Sequence, residues 1–336
     1  MKWTRHLVCT EHVSPQEQGS HMSLWVIPKE VDLIPLKRSF DLLGRTLTWD
    51  LLRPFDNSTD GRKEHDFDTP SFDLNPRLRH EGCLSLLDDP CLYHAMWTAC
   101  DAHIRVKVMQ LLETTWRVFD FLPETVEHGM EWLGTKTVKQ LLVVAQIFAA
   151  LEKQKEEHLS VDVLWKHSVR TGCLAGVLAK GERGDADVIR QSCVAGYSHD
   201  IGLAVLALSL DVNCYTRIMS RARREGLSLA TAEFRELGLS HDSIGAAYLR
   251  RHMFPQAIVD AVAFHDDPLG LELPGVTPTL AVFAANTLDG GGWPQDSDGI
   301  PSDRAMEYLA VHGYVDPWPT WQRYAAKVQS LELGYA

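Results

Sequence analysis

From residue 77 onward, apolar side chains in this 336-residue chain recur at steps of three and four, and no stretch alternates convincingly at a period of two. Such a pattern leaves the chain one way to bury its apolar surface, which is to pack helical stripes against one another. Leu84, Leu87, Cys91, Leu92, Ala95 and Met96 follow it across a break at Pro90, and Ile104, Val108, Leu111 and Leu112 follow it in the next helix. Thr125 to Trp132 reads as a short helix closed by Gly134, a residue type suited to the position after a helix end. Lys136 to Lys153 is apolar on nearly every side, which predicts a helix at the centre of a bundle. Ser160 predicts an N-cap for a helix over Val161 to Lys180. Further helices are expected over Asp185 to His199 and near 201–210, 212–223, 229–236, 240–252, 255–265, 276–288, 302–311 and 318–331. The expected fold class is all-α.

Ahead of this region the chain is less regular. Gly19-Ser20-His21-Met22 looks like a cloning remnant followed by a start methionine, so residues 1–22 are set aside as a vector-derived or disordered leader. Residues 23–76 read as a short, irregular accessory segment ending in a polar linker, Pro54 to Pro76. Residues 77–290 form the expected helical domain, and residues 291–336 a C-terminal helical extension that begins with the glycine- and aspartate-rich loop from Asp289 to Pro301.

The net charge of -12 argues against a general nucleic-acid or anionic-membrane binder, since both need a basic face. Arg221, Arg223 and Arg224 form the one tight cationic cluster, most simply a solvated helix face. Seven scattered cysteines with no C-x-x-C pair fit reduced, buried thiols and a cytoplasmic location. The longest apolar runs, such as Leu141 to Leu151, are too short to span a bilayer. There is no P-loop, no Gly-x-Gly-x-x-Gly after a strand, no Gly-x-Ser-x-Gly and no His-Glu-x-x-His.

Chemistry concentrates instead in Gly196-Tyr197-Ser198-His199-Asp200-Ile201-Gly202, with His167 upstream and His241 and His265 downstream. Neutral imidazoles and carboxylates suit divalent transition metals, and converging ligands of this kind can activate water for phosphoester hydrolysis. Another reading is open at each position. Asp200 could cap the helix that starts at Ile201 while His199 makes a buried hydrogen bond, and His167 could be a structural histidine near its helix start. His241 follows a candidate N-cap, Ser240, while Asp266-Asp267-Pro268 after His265 reads as a turn. Glu233 and Arg235 are expected on a solvated helix face, and Trp116, Trp132 and Trp165 in packing roles.

Four ordered blocks carry a family resemblance. They are Val126-Glu127-His128-Gly129-Met130-Glu131-Trp132-Leu133-Gly134 with Val138 and Leu141; Leu164-Trp165-Lys166-His167-Ser168; Ala195 to Gly202; and Glu233 to Leu249 followed by Pro255, Ile258 and His265. Residues 77–290 resemble the HDOD domain, the degenerate output branch of the HD superfamily of metal-dependent phosphohydrolases, related to the HD-GYP branch. The resemblance implies a multi-helix HD/HDOD-type bundle. It places His167, His199 and Asp200 at three core metal-ligand positions, with Asp200 the candidate catalytic residue. It places His241 and His265 where histidine-rich members bind a second metal. Two departures stand out: the family's histidine pair is His265-Asp266 here, and its closing aspartate corresponds to Asn286. Asp289, three residues later and followed by three glycines, is a substitute ligand candidate or a helix-terminating or loop residue. His252 stands where the family usually has a tryptophan, which implies local repacking.

Two functions follow from the resemblance. One is a bacterial signalling module with an eroded metal site, acting by binding a signalling protein or a nucleotide-type ligand. The other is a working phosphohydrolase on a nucleotide or cyclic dinucleotide. The cofactor expected is a divalent metal (Fe, Mn, Zn or Mg) or none.

Overall fold

Capping residues and apolar stripes set the helix boundaries in the structure, a computed structural model that describes residues 101–153, 160–210, 212–268, 275–290 and 303–331. The expected leader, the accessory segment with its polar linker and the pattern from Leu84 to Met96 lie outside those residues, as does most of the loop before Pro301. Among the described residues there are thirteen helices and no strand. In chain order they are α1 (Ala102–Val118), α2 (Val126–Leu133), α3 (Thr135–Lys153), α4 (Val161–Gly181), α5 (Ala186–Ser198), α6 (Ile201–Ser209) and α7 (Val212–Glu225). Then follow α8 (Leu229–Leu237), α9 (His241–Arg251), α10 (Gln256–Ala263), α11 (Pro278–Leu288), α12 (Asp303–Val311) and α13 (Trp318–Gln329).

Ser160 caps its helix as predicted, Thr125 and Asp185 supply caps not predicted from the sequence, and the candidate Ser240 makes no side-chain cap. Thr125 accepts from the His128 N–H at 3.1 Å, and α2 ends at Gly134 with φ +82°. Ser160 accepts from the Val163 N–H at 3.4 Å at the start of α4. Asp185 accepts from two amides, those of Asp187 and Val188, both at 2.9 Å, and so opens α5. Each such cap contributes about 1 kcal/mol by satisfying an amide that the helix itself cannot.

Helix α3 lies in the core as its composition predicts, with Val138, Leu141, Val144, Ala145 and Phe148 all fully buried. Burying Phe148 alone stabilises the fold by about 1.5–3 kcal/mol. Helices α4 and α5 make the most extensive contact, and α5 also packs on α3, α10 and α11. Glycine makes this crossing close: a Cβ on Gly196 would stand 2.5 Å from the Gly172 Cα. The Tyr197 ring fills the space over Gly172, and its hydroxyl lies 3.1 Å from Thr115 Oγ1 in the core. From the C-terminal extension, α13 packs on α4 and α11, with buried Trp321 donating to Glu182 Oε1 at 2.9 Å. The crossing of α4 and α5 brings the His167 helix against the end of the His199 helix, and α6, α9, α10 and α11 enclose the same region.

Arg221 pairs with Glu225 and Glu236 on the surface, so the arginine cluster is a solvated helix face as expected. Trp116 and Trp165 are buried, while Trp132 stays 37% exposed and stacks on Phe121 at 4.3 Å between ring centroids. His252 packs against Tyr248, and burial with nearby Arg251 lowers its pKa to about 4. No helix among the described residues is long and apolar enough to cross a membrane.

Candidate metal centre

The five residues that the sequence singles out first, His167, His199, Asp200, His241 and His265, converge on one buried region. Helix α4 presents His167 two turns from its start. His199 and Asp200 form the corner between α5 and α6, His241 opens α9, and His265 follows the end of α10. Asp200 stands at the N-cap position of α6 but makes no side-chain cap. The capping alternative is therefore excluded, and its carboxylate turns into the centre.

The imidazoles share one orientation. His199 Nδ1 donates to the Gly196 carbonyl at 2.8 Å, and His265 Nδ1 donates to the Val262 carbonyl at 2.8 Å. A carbonyl only accepts, so Nδ1 carries the hydrogen in both rings. His167 Nδ1 lies 2.8 Å from Asp289 Oδ2, and His241 Nδ1 lies 2.7 Å from Glu233 Oε2; these carboxylates impose the same tautomer. All four rings therefore turn Nε2 inward.

Two groups of inward atoms result. In the first, His167 Nε2 is 3.0 Å from His199 Nε2, 3.2 Å from Asn286 Oδ1 and 3.7 Å from Asp200 Oδ2. Asp200 Oδ2 is 3.3 Å from His199 Nε2. The Asn286 amide is fixed in this sense because its Nδ2 donates to Asp266 Oδ1 at 3.1 Å. In the second group, His241 Nε2 is 2.9 Å from Asp242 Oδ1 and 3.9 Å from both Asp200 Oδ1 and Asp266 Oδ2. His265 Nε2 lies 3.5 Å from Asp200 Oδ1 and 3.5 Å from Asp266 Oδ1. The ligand atoms of His167, His199 and Asp200 lie within 4.8 Å of one another, as do those of His241, Asp242, His265 and Asp266. Asp200 faces both, one oxygen to each.

Buried Asp200 Oδ2 and Asp242 Oδ1 accept no hydrogen bond, although each lies close to imidazole nitrogens. Oxygens of this kind, beside inward nitrogens with no hydrogen to share, suit a positive ion. Without a metal ion, the same excess of carboxylates favours a proton on two of the rings. Burial would lower the His265 pKa, but Asp266, Asp200 and Asp242 outweigh it and raise it to about 9. At His241 burial is likewise overcome, by Asp242 and Glu233. At His199 burial prevails over Asp200 and lowers the pKa. Burial opposes ionisation of Asp200 as well, yet His199, His265 and His167 hold its carboxyl well below the usual range.

Several expectations need correction. Glu233 is not on a solvated face but fully buried, accepting from Tyr215 Oη at 2.7 Å and from both the backbone N–H and Nδ1 of His241 at 2.7 Å. Arg235, by contrast, is solvated. Asp289 stands at the helix-terminating position of α11, as its place before the glycines suggests, and is not turned toward the inward nitrogens. It lies behind His167 on the Nδ1 side and accepts from Arg170 Nε at 2.8 Å and Arg170 Nη2 at 2.9 Å. Asp266 is part of the second group rather than only part of a turn, and Asp242 joins it unforeseen. The signal for Asp242 is His241-Asp242, a second adjacent histidine-aspartate pair.

The comparisons agree with this architecture. The fold is similar to that of an HDOD domain protein of unknown function from Geobacter sulfurreducens, with TM-score 0.52 and 19% identity over 74% of this chain and 86% of that one. It is similar to a protein from Shewanella amazonensis SB2B, provisionally named a phosphohydrolase, with TM-score 0.52 and 18% identity over 76% of this chain and 90% of that one. At such identities the likeness is one of fold. No curated protein matches the sequence. The family model described as the HDOD domain matches residues 119–268 of this chain, a span that contains all five central residues and the three pairs His199-Asp200, His241-Asp242 and His265-Asp266.

Proposed function

We propose that the chain is a metal-dependent phosphohydrolase whose centre takes two divalent cations on either side of Asp200. The observation that carries this reading is the common orientation of the four imidazoles. With neutral rings, every Nε2 meets oxygens that also only accept, and converging acceptors repel unless positive charge, a metal ion or protons on the rings, lies among them. The spacing supports the same conclusion. Neighbouring donors around an octahedral ion with bonds of about 2.1 Å are about 3.0 Å apart, and His167 Nε2 lies 3.0 Å from His199 Nε2.

His167, His199, Asp200 Oδ2 and the Asn286 carbonyl would hold one ion. His241, Asp242, His265, Asp266 and Asp200 Oδ1 would hold the other. Mixed nitrogen and oxygen donors favour Mn or Fe over Mg, which prefers oxygen. Bound ions of this type polarise a phosphoryl group and lower the pKa of water. The protein's own part is to fix geometry. Glu233 and Asp289 orient His241 and His167, Gly196 and Val262 orient the other two rings, and Asp200 sets the separation of the two positions. Three central carboxylates against two divalent ions leave one positive charge, which suits an anionic phosphoester. The substrate class proposed is a nucleotide or cyclic dinucleotide, entering past Asp266, whose side chain is 38% exposed.

The signalling reading, in which the chain acts by binding a partner protein, draws on one observation: Asn286 supplies an amide where a carboxylate would close the first group. Metal content separates the two readings. Protein purified without chelators is expected to contain about two transition-metal ions per chain and to hydrolyse bis(p-nitrophenyl) phosphate or a cyclic dinucleotide. EDTA should abolish turnover and Mn2+ restore it. Mn2+ at about 100 times its Kd should stabilise the fold by about 2.7 kcal/mol. A metal-free protein whose melting ignores both EDTA and Mn2+ would leave the signalling reading standing.

Glu233 gives a sharper check. Glu233→Gln keeps the shape but replaces the carboxylate that holds the His241 tautomer. Mn2+ affinity at the second group is expected to fall about 10–100-fold, read by titration calorimetry. An unchanged affinity would reduce Glu233 to a packing role.

A further inference from the structure

We infer that the two cation positions are unequal, with the His241–Asp242–His265–Asp266 group holding its ion tightly and the His167–His199 group holding an exchangeable ion whose occupancy follows the surrounding metal concentration. The inference rests on the two-cation reading above and adds a regulation to the same site.

The donor sets differ in charge. The second group brings two imidazoles, two carboxylates of its own and one oxygen of Asp200. The first brings two imidazoles, the other oxygen of Asp200 and the neutral carbonyl of Asn286. Affinity for a hard divalent ion rises with the number of anionic donors. Asp289, the carboxylate nearest the first group, cannot make up the difference. It sits on the Nδ1 side of His167, and Arg170 offsets its charge through hydrogen bonds at 2.8, 3.1 and 2.9 Å. In the second group, Asp242 Oδ1 is fully buried and accepts no hydrogen bond, which leaves it free for a ligand.

Geometry links the two positions. Asn286 Nδ2 donates to Asp266 Oδ1, so the amide that faces the first position is aligned by a residue of the second. Asp242 and Asp266 are also the more exposed members of the cluster, with side chains 15% and 38% accessible. An anionic rim repels a phosphoester until a cation neutralises it. The tightly held ion thus makes the rim admissible to substrate, and the second, weaker ion completes the centre. Turnover then reports the metal concentration.

The test is a Mn2+ titration of the metal-stripped full chain, with free Mn2+ followed by electron paramagnetic resonance. Two classes of site are expected, differing in Kd by about tenfold or more. Asp242→Asn and Asp266→Asn should each weaken the tight class, whereas His167→Gln should abolish the weak class and spare the tight one. Asn286→Asp, which exchanges an amide for a carboxylate of the same shape and loses the hydrogen bond to Asp266, should strengthen the weak class and narrow its gap to the tight one. Melting curves of each variant confirm folding. Two equal classes in the unaltered chain, or loss of the tight class in His167→Gln, would overturn the inequality while leaving two cations in place. A chain that binds no Mn2+ would overturn the two-cation reading itself.

Discussion

Asp200→Asn is expected to lose both ions and at least about 10^3-fold of phosphodiester turnover, while the metal-stripped protein melts no lower than before. The first half follows from the position of the carboxylate, whose two oxygens face the two groups at 3.3 to 3.9 Å from four imidazole nitrogens. An amide of the same shape keeps one acceptor, but puts N–H donors where a cation would sit. Removing an interaction worth several kcal/mol in the transition state costs a factor of ten for each 1.36 kcal/mol. The second half follows from burial. Asp200 Oδ2 accepts no hydrogen bond, so without metal the fold bears a buried anion offset only by the neighbouring imidazoles. An asparagine there removes the charge and can donate to His199 Nε2 or His167 Nε2. Loss of function with equal or greater stability marks a group kept for chemistry rather than for folding. Metal content per chain, turnover and calorimetric melting measure the three parts. A variant that keeps its ions, or that simply unfolds, would place Asp200 among the structural residues instead.

Much of the fold was legible because helices advertise themselves locally. The period of the apolar positions and the end signals Ser160 and Gly134 need only neighbours in sequence, and the observed boundaries fall within a residue or two of the predicted ones. The candidate ligands were legible for a different reason, the family resemblance. What sequence could not supply was direction. Glu233 looks like any charged residue on a short amphipathic helix until Tyr215 and His241 fold over it from either side. Asp289 shares a helix face with Asn286, yet spacing does not tell whether it meets the Nδ1 or the Nε2 edge of His167, and that edge decides between orienting partner and ligand. Asp200 occupied a position where capping and ligation were equally open. The burial around it, visible only after α4, α9, α10 and α11 assemble, turns the side chain inward. In each case the deciding contact joins residues from separate helices.

The glycine of the His199-Asp200-Ile201-Gly202 corner has a role that only the assembled structure reveals, and Gly202→Ala is the second large effect expected. A Cβ on Gly202 would lie 2.0 Å from the His241 carbonyl oxygen, 2.7 Å from its carbon and 2.9 Å from the Gly245 nitrogen. All three are backbone atoms, so no rotamer change relieves the clash; α6 and α9 must separate. Overpacking of this kind falls at or above the top of the usual range, about 3 kcal/mol, which lowers the melting temperature by about 6–12 °C. Gly245→Ala supplies a graded control. Its Cβ would meet the Gly202 nitrogen and Val262 Cγ1, both at 3.1 Å, which demands a shift of only a few tenths of an ångström, and should cost about 1 kcal/mol. The functional consequence is directional. Separation of α6 from α9 carries His241 away from Asp200, the contact between the two groups, but leaves His167 and His199 attached to the α4–α5 crossing. Below its melting temperature, Gly202→Ala should therefore lose Mn2+ affinity at the second group more than at the first. Equal melting of the two alanine variants would show that α9 yields more easily than its contacts imply. Equal weakening of both ions would mean that the corner, and not the spacing of α6 and α9, is what the glycine protects.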